Sequence, residues 1–478
     1  VAQALWFNRF LISKRQSSQM NKAILCIYLA IFLDLVGGFM VVPLLPFVMI
    51  SMDGTAFQIS FTSALFSLAQ IVGTSVLGIL SDKIGRRKVV ISCLFASAIS
   101  LFAFGLSQTM WQLILFRGLG GFFSGTIGIC EAFIGDILPP EERPSALSVI
   151  GAVFGLGMIV GPGLGGVLSQ LFASPTDPTG FFSVCFVGAV VTTFNGLLAV
   201  FVLPHVEAGE SHDAEDEAED ETEGSSYKAL ASLMNKERDV VTLYMINLLQ
   251  ALAVGVLMGI MGVFFFDFYS MDGPGLSHVL AISGISAVFF QVFAAGPMIT
   301  KIGERWCMVI GNAVRSGGYV LLNVFFAQWV PIVDVSMLIC GGGLICAPLV
   351  SALTDVTPEP LRGVTLGAFN SLGSLGQFIG PMIAGSIYSA NKKMPFWIAA
   401  ALSTLAAVLA LAVDARKLTK VSDSAGGLEE PLAGADRQPS SASRRLSNVS
   451  TKSVASRRLS NASLQNHSDI AAAFNRVD

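Results

Sequence analysis

The sequence predicts an all-α membrane protein in which twelve transmembrane helices form two pseudo-symmetric six-helix bundles. Three observations predict it. The 478 residues are 53% hydrophobic and 13% charged, against about 25% charged in average soluble proteins, and mean hydropathy is +0.68. The apolar residues fall in runs of about 20 or more, the length of helix that crosses a hydrocarbon core. Finally, residues 131–166, EAFIGDILPPEERPSALSVIGAVFGLGMIVGPGLGG, return 219 residues later as VSALTDVTPEPLRGVTLGAFNSLGSLGQFIGPMIAG. Asp136, Pro139 and Arg143 meet Asp355, Pro358 and Arg362 at that offset. Leu147, Gly157, Gly161, Pro162 and Gly166 then meet Leu366, Gly376, Gly380, Pro381 and Gly385 without a gap. A second echo sets GILSDKIGRRK (78–88) against GPMITKIGERW (296–306). So long a period is no solenoid repeat; it is a duplicated half-protein.

Taken in order, residues 1–23 form a basic N-terminal segment with Arg9, Lys14, Arg15 and Lys22 and no acid. The chain begins at Val1, and Met20 is a candidate start. The segment is faintly transit-like, but a cytoplasmic flank of the first span is the more economical reading. The first bundle covers 24–203, with spans near 24–50, 60–81, 88–107, 111–135, 146–169 and 181–203. The second covers 240–415, with spans near 240–266, 277–300, 306–327, 331–353, 364–389 and 395–414. The N-terminal flank, the alternate loops and residues 416–420 carry the Lys and Arg, whereas the opposite loops hold only Lys392 and Lys393. The positive-inside rule then places both termini in the cytoplasm, in a protein of the plasma membrane or an endomembrane.

Between the bundles, 204–239 is an acidic linker, HVEAGESHDAEDEAEDETEGSS and onward. His205 and His212 offer a metal, but so few apolar residues favour a solvated, disordered segment. Leu230, Leu233 and Met234 then line one face of KALASLMNKER, which suits a short amphipathic helix along the inner membrane surface. The Ser/Arg-rich tail, 416–478, is expected to be disordered and cytoplasmic. It repeats SRRLSNVS as SRRLSNAS; Arg-Arg-x-Ser resembles the site of basophilic kinases, making Ser447 and Ser460 candidates for phosphorylation and a kinase a candidate partner. A duplicated spacer is the plain alternative. The sequons at Asn448, Asn461 and Asn466 lie on the side where glycosylation does not occur. The seven cysteines sit in apolar segments without a C-x-x-C pair and read as small apolar helix residues.

Several positions carry chemistry. In GILSDKIGRRK, Gly78 allows close helix approach and Gly85 a tight turn. Gly157, Gly161 and Gly165 recur every four residues on one helix face, the spacing that lets membrane helices touch backbone to backbone. Pro162 adds a local break that neighbours must satisfy. Asp34, in LDLVGGFMVVPLLP, lies roughly 15 Å deep at about 1.5 Å per residue, near the midplane of a roughly 30 Å core. An unpaired carboxylate there is costly unless a cation approaches, and a group that alternates between proton and cation suits proton/cation exchange. Polar neighbours in a wet crevice would also satisfy it.

Taken together, these features resemble the major facilitator superfamily over roughly residues 22–415, and within it the twelve-span drug/proton antiporters of the tetracycline-resistance type. The loop 78–88 is similar to that superfamily's G-x-L-x-D-R-x-G-R-R signature, with Lys83 for the first Arg. The resemblance implies that Asp82 faces the start of the eleventh span near Gly363, and that Arg86, followed by Arg87, pairs with Asp136. Together they would latch the cytoplasmic gate when the outer side is open. The second half, with Thr300 and Glu304 at these places, would have a weaker latch. Gly157, Gly161, Pro162, Gly165 and Gly166 match the antiporter-associated G-x-x-x-G-P-x-x-G-G, and residues 34–46 approach D-x-x-G…P-x-x-P.

Arg117, opening RGLGG, matches the arginine motif of the fourth span and is implied to tune Asp34 or gate its proton; an inter-helix hydrogen bond is the alternative. Glu131 is a candidate relay acid or a snorkelling one. Arg315 stands in the ninth span, where some tetracycline-type antiporters carry an acid, which argues against tetracycline itself. Asn247, Gln250, Gln291, Asn370 and Gln377 are candidates to line a cavity.

No Gly-Lys dipeptide occurs, so no phosphate-binding P-loop exists, and no metal, cofactor, nucleic acid or enzyme chemistry is indicated. The expected function is secondary transport by alternating access, as proton-coupled antiport of a small amphipathic cationic organic molecule or drug. Facilitated uniport, or a transporter-like receptor signalling through its tail, are the alternatives.

Overall fold

A computed structural model describes residues 23–138, 143–173, 180–203, 229–358 and 361–413. The basic segment, the acidic linker with His205 and His212, and the tail with Ser447 and Ser460 lie outside the described residues, apart from the ends nearest the helices. Among the described residues, twelve long helices follow one another. They are α1 (Ala23–Ser51), α2 (Ala56–Ile84), α3 (Arg86–Gly105), α4 (Met110–Ile137), α5 (Arg143–Phe172) and α6 (Phe181–Val202). Then come α7 (Arg238–Tyr269), α8 (Gly273–Ile302), α9 (Glu304–Val324), α10 (Val330–Val356), α11 (Arg362–Tyr388) and α12 (Met394–Ala412). Ten of them are long and apolar enough to cross a membrane. The exceptions, α9 and α11, are long enough but carry Glu304, Arg305 and Arg315 in one case and a run of Gly and Ser in the other.

Local chemistry sets the ends and breaks. Thr55 and Thr109 cap α2 and α4 with reciprocal bonds to Gln58 and Gln112, closing otherwise orphaned N–H groups. The turns α2–α3 and α8–α9 each pivot on one glycine with positive φ, Gly85 (97°) and Gly303 (85°), where a side chain would be strained. These two glycines are 218 residues apart, as the sequence echo requires. Helix α1 opens over 41–44, around Pro43 and just ahead of Pro46, because proline removes an N–H and disfavours helix before it. Helix α4 loosens at 124–125, and α8 carries a π turn over Gln291–Ala295.

Two glycine seams hold the helices in register. A Cβ at Gly157 would lie 2.7 Å from Leu35 Cβ, and one at Gly161 2.6 Å from Phe39 Cβ; Gly165 meets the Met40 backbone. So α5 lies directly on α1. In the second half Gly376 approaches Ala251, and Gly380 approaches Leu252 O and Gly255, laying α11 on α7 in the same way. Hydrogen bonds repeat the correspondence: Tyr28 Oη donates to Ala146 O (3.0 Å) and Tyr244 Oη to Thr365 O (2.6 Å).

The halves meet asymmetrically across the membrane. Call the end carrying the α2–α3, α4–α5, α8–α9 and α10–α11 turns the motif face. Near that face each half has its own core, one including Ile27, Val90, Phe133 and Ile150, the other Val240, Leu243, Leu349 and Phe369. At the opposite face a single core joins Met40, Leu44 and Phe181 to Phe264, Tyr319 and Phe396. The inter-bundle approaches lie there too: Pro46 with Gly262, Leu44 with Gly273, Ser277 with Gly166 and Ser60 with Gly385. Ser60 Oγ also donates to Gly259 O (3.0 Å). The protein is thus sealed at the opposite face and parted at the motif face. In the short helix 229–236 Leu230 is buried, and Leu233 and Met234 are partly buried against the second half's core, so the apolar stripe is at least in part turned onto protein.

The seam makes a sharp stability test. Gly165→Ala has the Met40 backbone against it, whereas Gly155→Ala, one face away, meets nothing within 4 Å. We expect Gly165→Ala to lose about 1–3 kcal/mol, the scale of overpacking, and Gly155→Ala to be neutral. Thermal unfolding in detergent compares them directly.

Candidate substrate-binding cavity

Between the halves lies a cavity of about 470 Å³, within the range of small-molecule sites. Its walls come from α1–α7 and α11. The aromatic faces are Phe39, Phe66, Phe104, Phe116 and Phe154, with Phe39 edge-on to Phe154 at 5.7 Å. The polar lining is Asp34, Arg117, Gln70, Gln377 and a set of hydroxyls that includes Ser63, Ser67, Ser97 and Ser100.

Asp34 reaches the cavity because the α1–α5 seam begins one residue after it, at Leu35, and Asn195 Nδ2 binds Ala30 O (2.7 Å) one turn before it. No hydrogen bond or ion pair to Asp34 is formed among the described residues. Arg117 is set by a second close seam. Gly121 abuts the Phe66 backbone and Gly125 the Thr74 backbone, bringing α4 onto α2. This places the guanidinium over the Phe66 ring, Cζ 4.2 Å from its centroid. Arg117 Nε is sealed without a partner, and no ion pair joins Arg117 to Asp34. The two charges share one cavity without neutralising each other.

The second half does the reverse. In the register fixed by the two seams, Gln250 of α7 stands where α1 has Asp34. It is not in the cavity. Asn247 Nδ2 donates to Phe369 O (2.8 Å), Gln250 Nε2 to Asn247 Oδ1 (3.4 Å), and Arg315 Nη1 to Gln250 Oε1 (3.4 Å), all buried. Asn247 and Gln250, read from the sequence as cavity candidates, are instead spent on each other. Gln291 packs against Gly343 on the π turn, and Asn370 is exposed outside the lining. Of the five amides only Gln377 lines the cavity. Glu131 is exposed and outside it as well. Sequence reading passed over Ser63, Ser67 and Gln70, although their spacing along one face of α2 was a usable signal.

At the motif face Arg86 gathers the loop. Its Nε pairs with Asp136 Oδ2, while Nη1 pairs with Asp82 Oδ1 at 2.8 Å and donates to Ser81 Oγ at 3.2 Å. Asp82 is held by Arg86, and the space a Cβ would take at Gly363 is open, as it is at Gly78. Arg87 donates to Val200 O, and Arg305 repeats this on Leu411 O. Glu304 replaces Arg86 in the second half, so no matching ion pair forms there among the described residues.

Residues 27–271 and 243–459 match the profile of the Major Facilitator Superfamily. The chain belongs to that superfamily. It is a multi-pass integral membrane transporter and not an enzyme. It is 27% identical over 378 residues to the class E tetracycline resistance protein of Escherichia coli, covering 78% of this chain and 90% of that one. It is 24% identical over 396 residues to the quinolone resistance protein NorA of Staphylococcus aureus, covering 82% and 96%. Superfamily structures of similar fold include a bacterial homologue of the human lysosomal transporter Spinster, inward-facing and unoccupied. Its TM-score is 0.65 at 13% identity, over 84% of this chain and 98% of that one. The nucleoside transporter NupG gives a TM-score of 0.65 at 14% identity, over 82% and 98%.

Neighbouring glycines separate cavity from scaffold in this superfamily member. A Cβ at Gly37 would lie 2.8 Å from Thr192 Oγ1, whereas Gly38 lines the cavity with nothing within 4 Å. We expect Gly37→Leu to destabilise by about 1–3 kcal/mol. Gly38→Leu should stay within about 0.5 kcal/mol of wild type yet cut transport by obstructing the cavity. Paired melting and liposome uptake measurements check both.

Proposed function

We propose that the protein is a proton-coupled antiporter that moves a small, amphipathic, positively charged organic molecule by alternating access. The observation that carries this reading is Asp34: a carboxylate in the cavity wall with no partner among the described residues. A charge in that setting is costly unless a proton or a cation meets it. Proton and substrate therefore compete for one group, which is the minimum an exchanger needs. The glycines of the seam beside Asp34 belong to the string that resembles the antiporter-associated motif, which supports exchange. The names of the relatives, which refer to tetracycline and quinolone resistance, support an organic drug-like substrate.

With the basic loops facing the cytoplasm, the motif face is cytoplasmic and the described state is inward-open. Two halves rocking about a midplane site is the general design of such transporters. Arg86 would then act as the hub of the cytoplasmic latch, already holding Asp136 and Asp82. Asp82 would reach the start of α11 only when the halves close, drawn by the positive end of that helix. Glu131, outside the cavity, fits a peripheral relay at most.

Two measurements test this. In liposomes under an imposed pH gradient, wild type should concentrate substrate. Its affinity for a cation should rise with pH, because deprotonation of Asp34 supplies the countercharge. Asp34→Asn fixes the neutral form, so pH dependence and uphill transport should both disappear while folding is kept; a variant with the wild-type pH profile overturns the assignment. Separately, Arg86→Ala should lower transport at least about tenfold, the loss of roughly 1.4 kcal/mol from the outward-open state. Thiol labelling of the cavity should then rise from the cytoplasmic side, and an unchanged pattern would remove the latch.

A further inference from the structure

The cavity holds two unpaired charges of opposite sign, and the proposed exchange uses only one. Arg117 lies within the membrane-spanning part of α4, its guanidinium on the Phe66 ring and its Nε without a partner. The Nε of Arg87, Arg305 and Arg315 is unpartnered as well, but each of these has another guanidinium nitrogen committed to the protein. Arg87 and Arg305 each cap a neighbouring helix by donating to Val200 O and Leu411 O, and Arg315 closes a buried chain with Gln250. Arg117 makes no such bond and lines the cavity.

A guanidinium presents a planar fork of donors suited to carboxylate, and its cation–π contact leaves those edges available. A purely cationic ligand would neutralise Asp34 but sit in the field of an uncompensated Arg117. A neutral ligand would displace water from both charges and leave them uncompensated. A molecule bearing both charges satisfies both.

From this arrangement we infer, building on the exchange at Asp34, that the substrates are amphoteric: an aromatic or apolar frame carrying a protonated amine and an ionised acid. The amine meets Asp34, the acid meets Arg117 through charge-assisted hydrogen bonds, and the frame lies against Phe39, Phe116 and Phe154. Arg117 is thereby a specificity-determining residue. Protonation of Asp34 removes one anchor and leaves the acid on Arg117, so the ligand is loosened from one end during exchange.

The test uses full-length protein in nanodiscs and two probe pairs, each an acid and its methyl ester: piperazinyl-naphthoic acid, and an aryl betaine whose ammonium charge is fixed. Binding is measured without a gradient at a pH where the amines are charged. Wild type should bind each acid at least about tenfold more tightly than its ester. Arg117→Gln should abolish that preference by weakening the acid while the ester, relieved of the arginine's repulsion, binds at least as tightly as to wild type. Arg117→Lys should retain part of the preference, which also controls for misfolding. Equal binding of acid and ester by wild type in both pairs, or the same loss for both in Arg117→Gln, overturns the inference. Failure of the exchange reading shows elsewhere: acid preference intact, but Asp34→Asn transport still driven by the proton gradient.

Discussion

Backbone-to-backbone contact between α1 and α5, and between α7 and α11, is the constraint on which the rest of the structure depends. In lipid there is no hydrophobic drive to press one helix on another, so close packing of small residues must supply the attraction. Gly157, Gly161 and Gly165 remove the side chains that would hold α5 away from Leu35, Phe39 and Met40. The seam sets the rotation of α1, and that rotation turns Asp34 and Gly38 into the cavity while Gly37 is buried against Gly188 and Thr192. Structure and site are thus set by the same contact.

The duplicated seam builds two similar scaffolds, and the chemistry is then placed in one of them. Gln250 occupies the counterpart of Asp34 and is consumed by Asn247 and Arg315. Arg86 has Glu304 as its counterpart, so the ion-paired hub exists in the first half alone among the described residues. The second half contributes Val254, Gly255, Met258, Gln377 and Pro381 to the cavity, none of them charged. The charged cavity residues Asp34 and Arg117 and the ion-paired hub at Arg86 thus all lie in the first bundle, while the second gives the cavity an uncharged wall. The ion pairs Arg86–Asp82, Arg86–Asp136 and Lys392–Asp267 each stay within one half.

The opposite face shows what closure requires. Pro46 against Gly262 and Leu44 against Gly273 are contacts with almost no side-chain depth on one partner. The single shared core there includes Phe264, Tyr319 and Phe396. Outside it, Lys392 pairs with Asp267 at 2.8 Å, and Lys393 lies 4.4 Å from the Phe326 ring centroid. The two basic residues that stood out in the opposite loops of the sequence are both engaged within the second half, and the inter-bundle contacts at this face are made by apolar residues and serines rather than by charges.

How much could be read in advance follows from the range of each interaction. Helix number, the duplication, the turn at Gly85 and the α5 glycine stripe are encoded in local spacing or in an internal repeat, so the sequence by itself determined them; the Arg86–Asp136 pair was legible only through the family resemblance of the 78–88 loop. Asp34 stood out because a lone acid in an apolar run is conspicuous whatever surrounds it. Polar residues without charge could not be placed so: Asn247, Gln250, Gln291 and Asn370 looked as suitable for the cavity as Gln377. The tertiary structure alone decided among them, since one helix rotation separates lining from burial. It alone decided too that Asp82 stays with Arg86 in the described state, and that the stripe of Leu230, Leu233 and Met234 is at least in part turned onto protein. Above all it set Arg117 and Asp34 in one cavity without pairing them, because their separation depends on how α2, α4 and α5 pack, and no spacing along the chain records that.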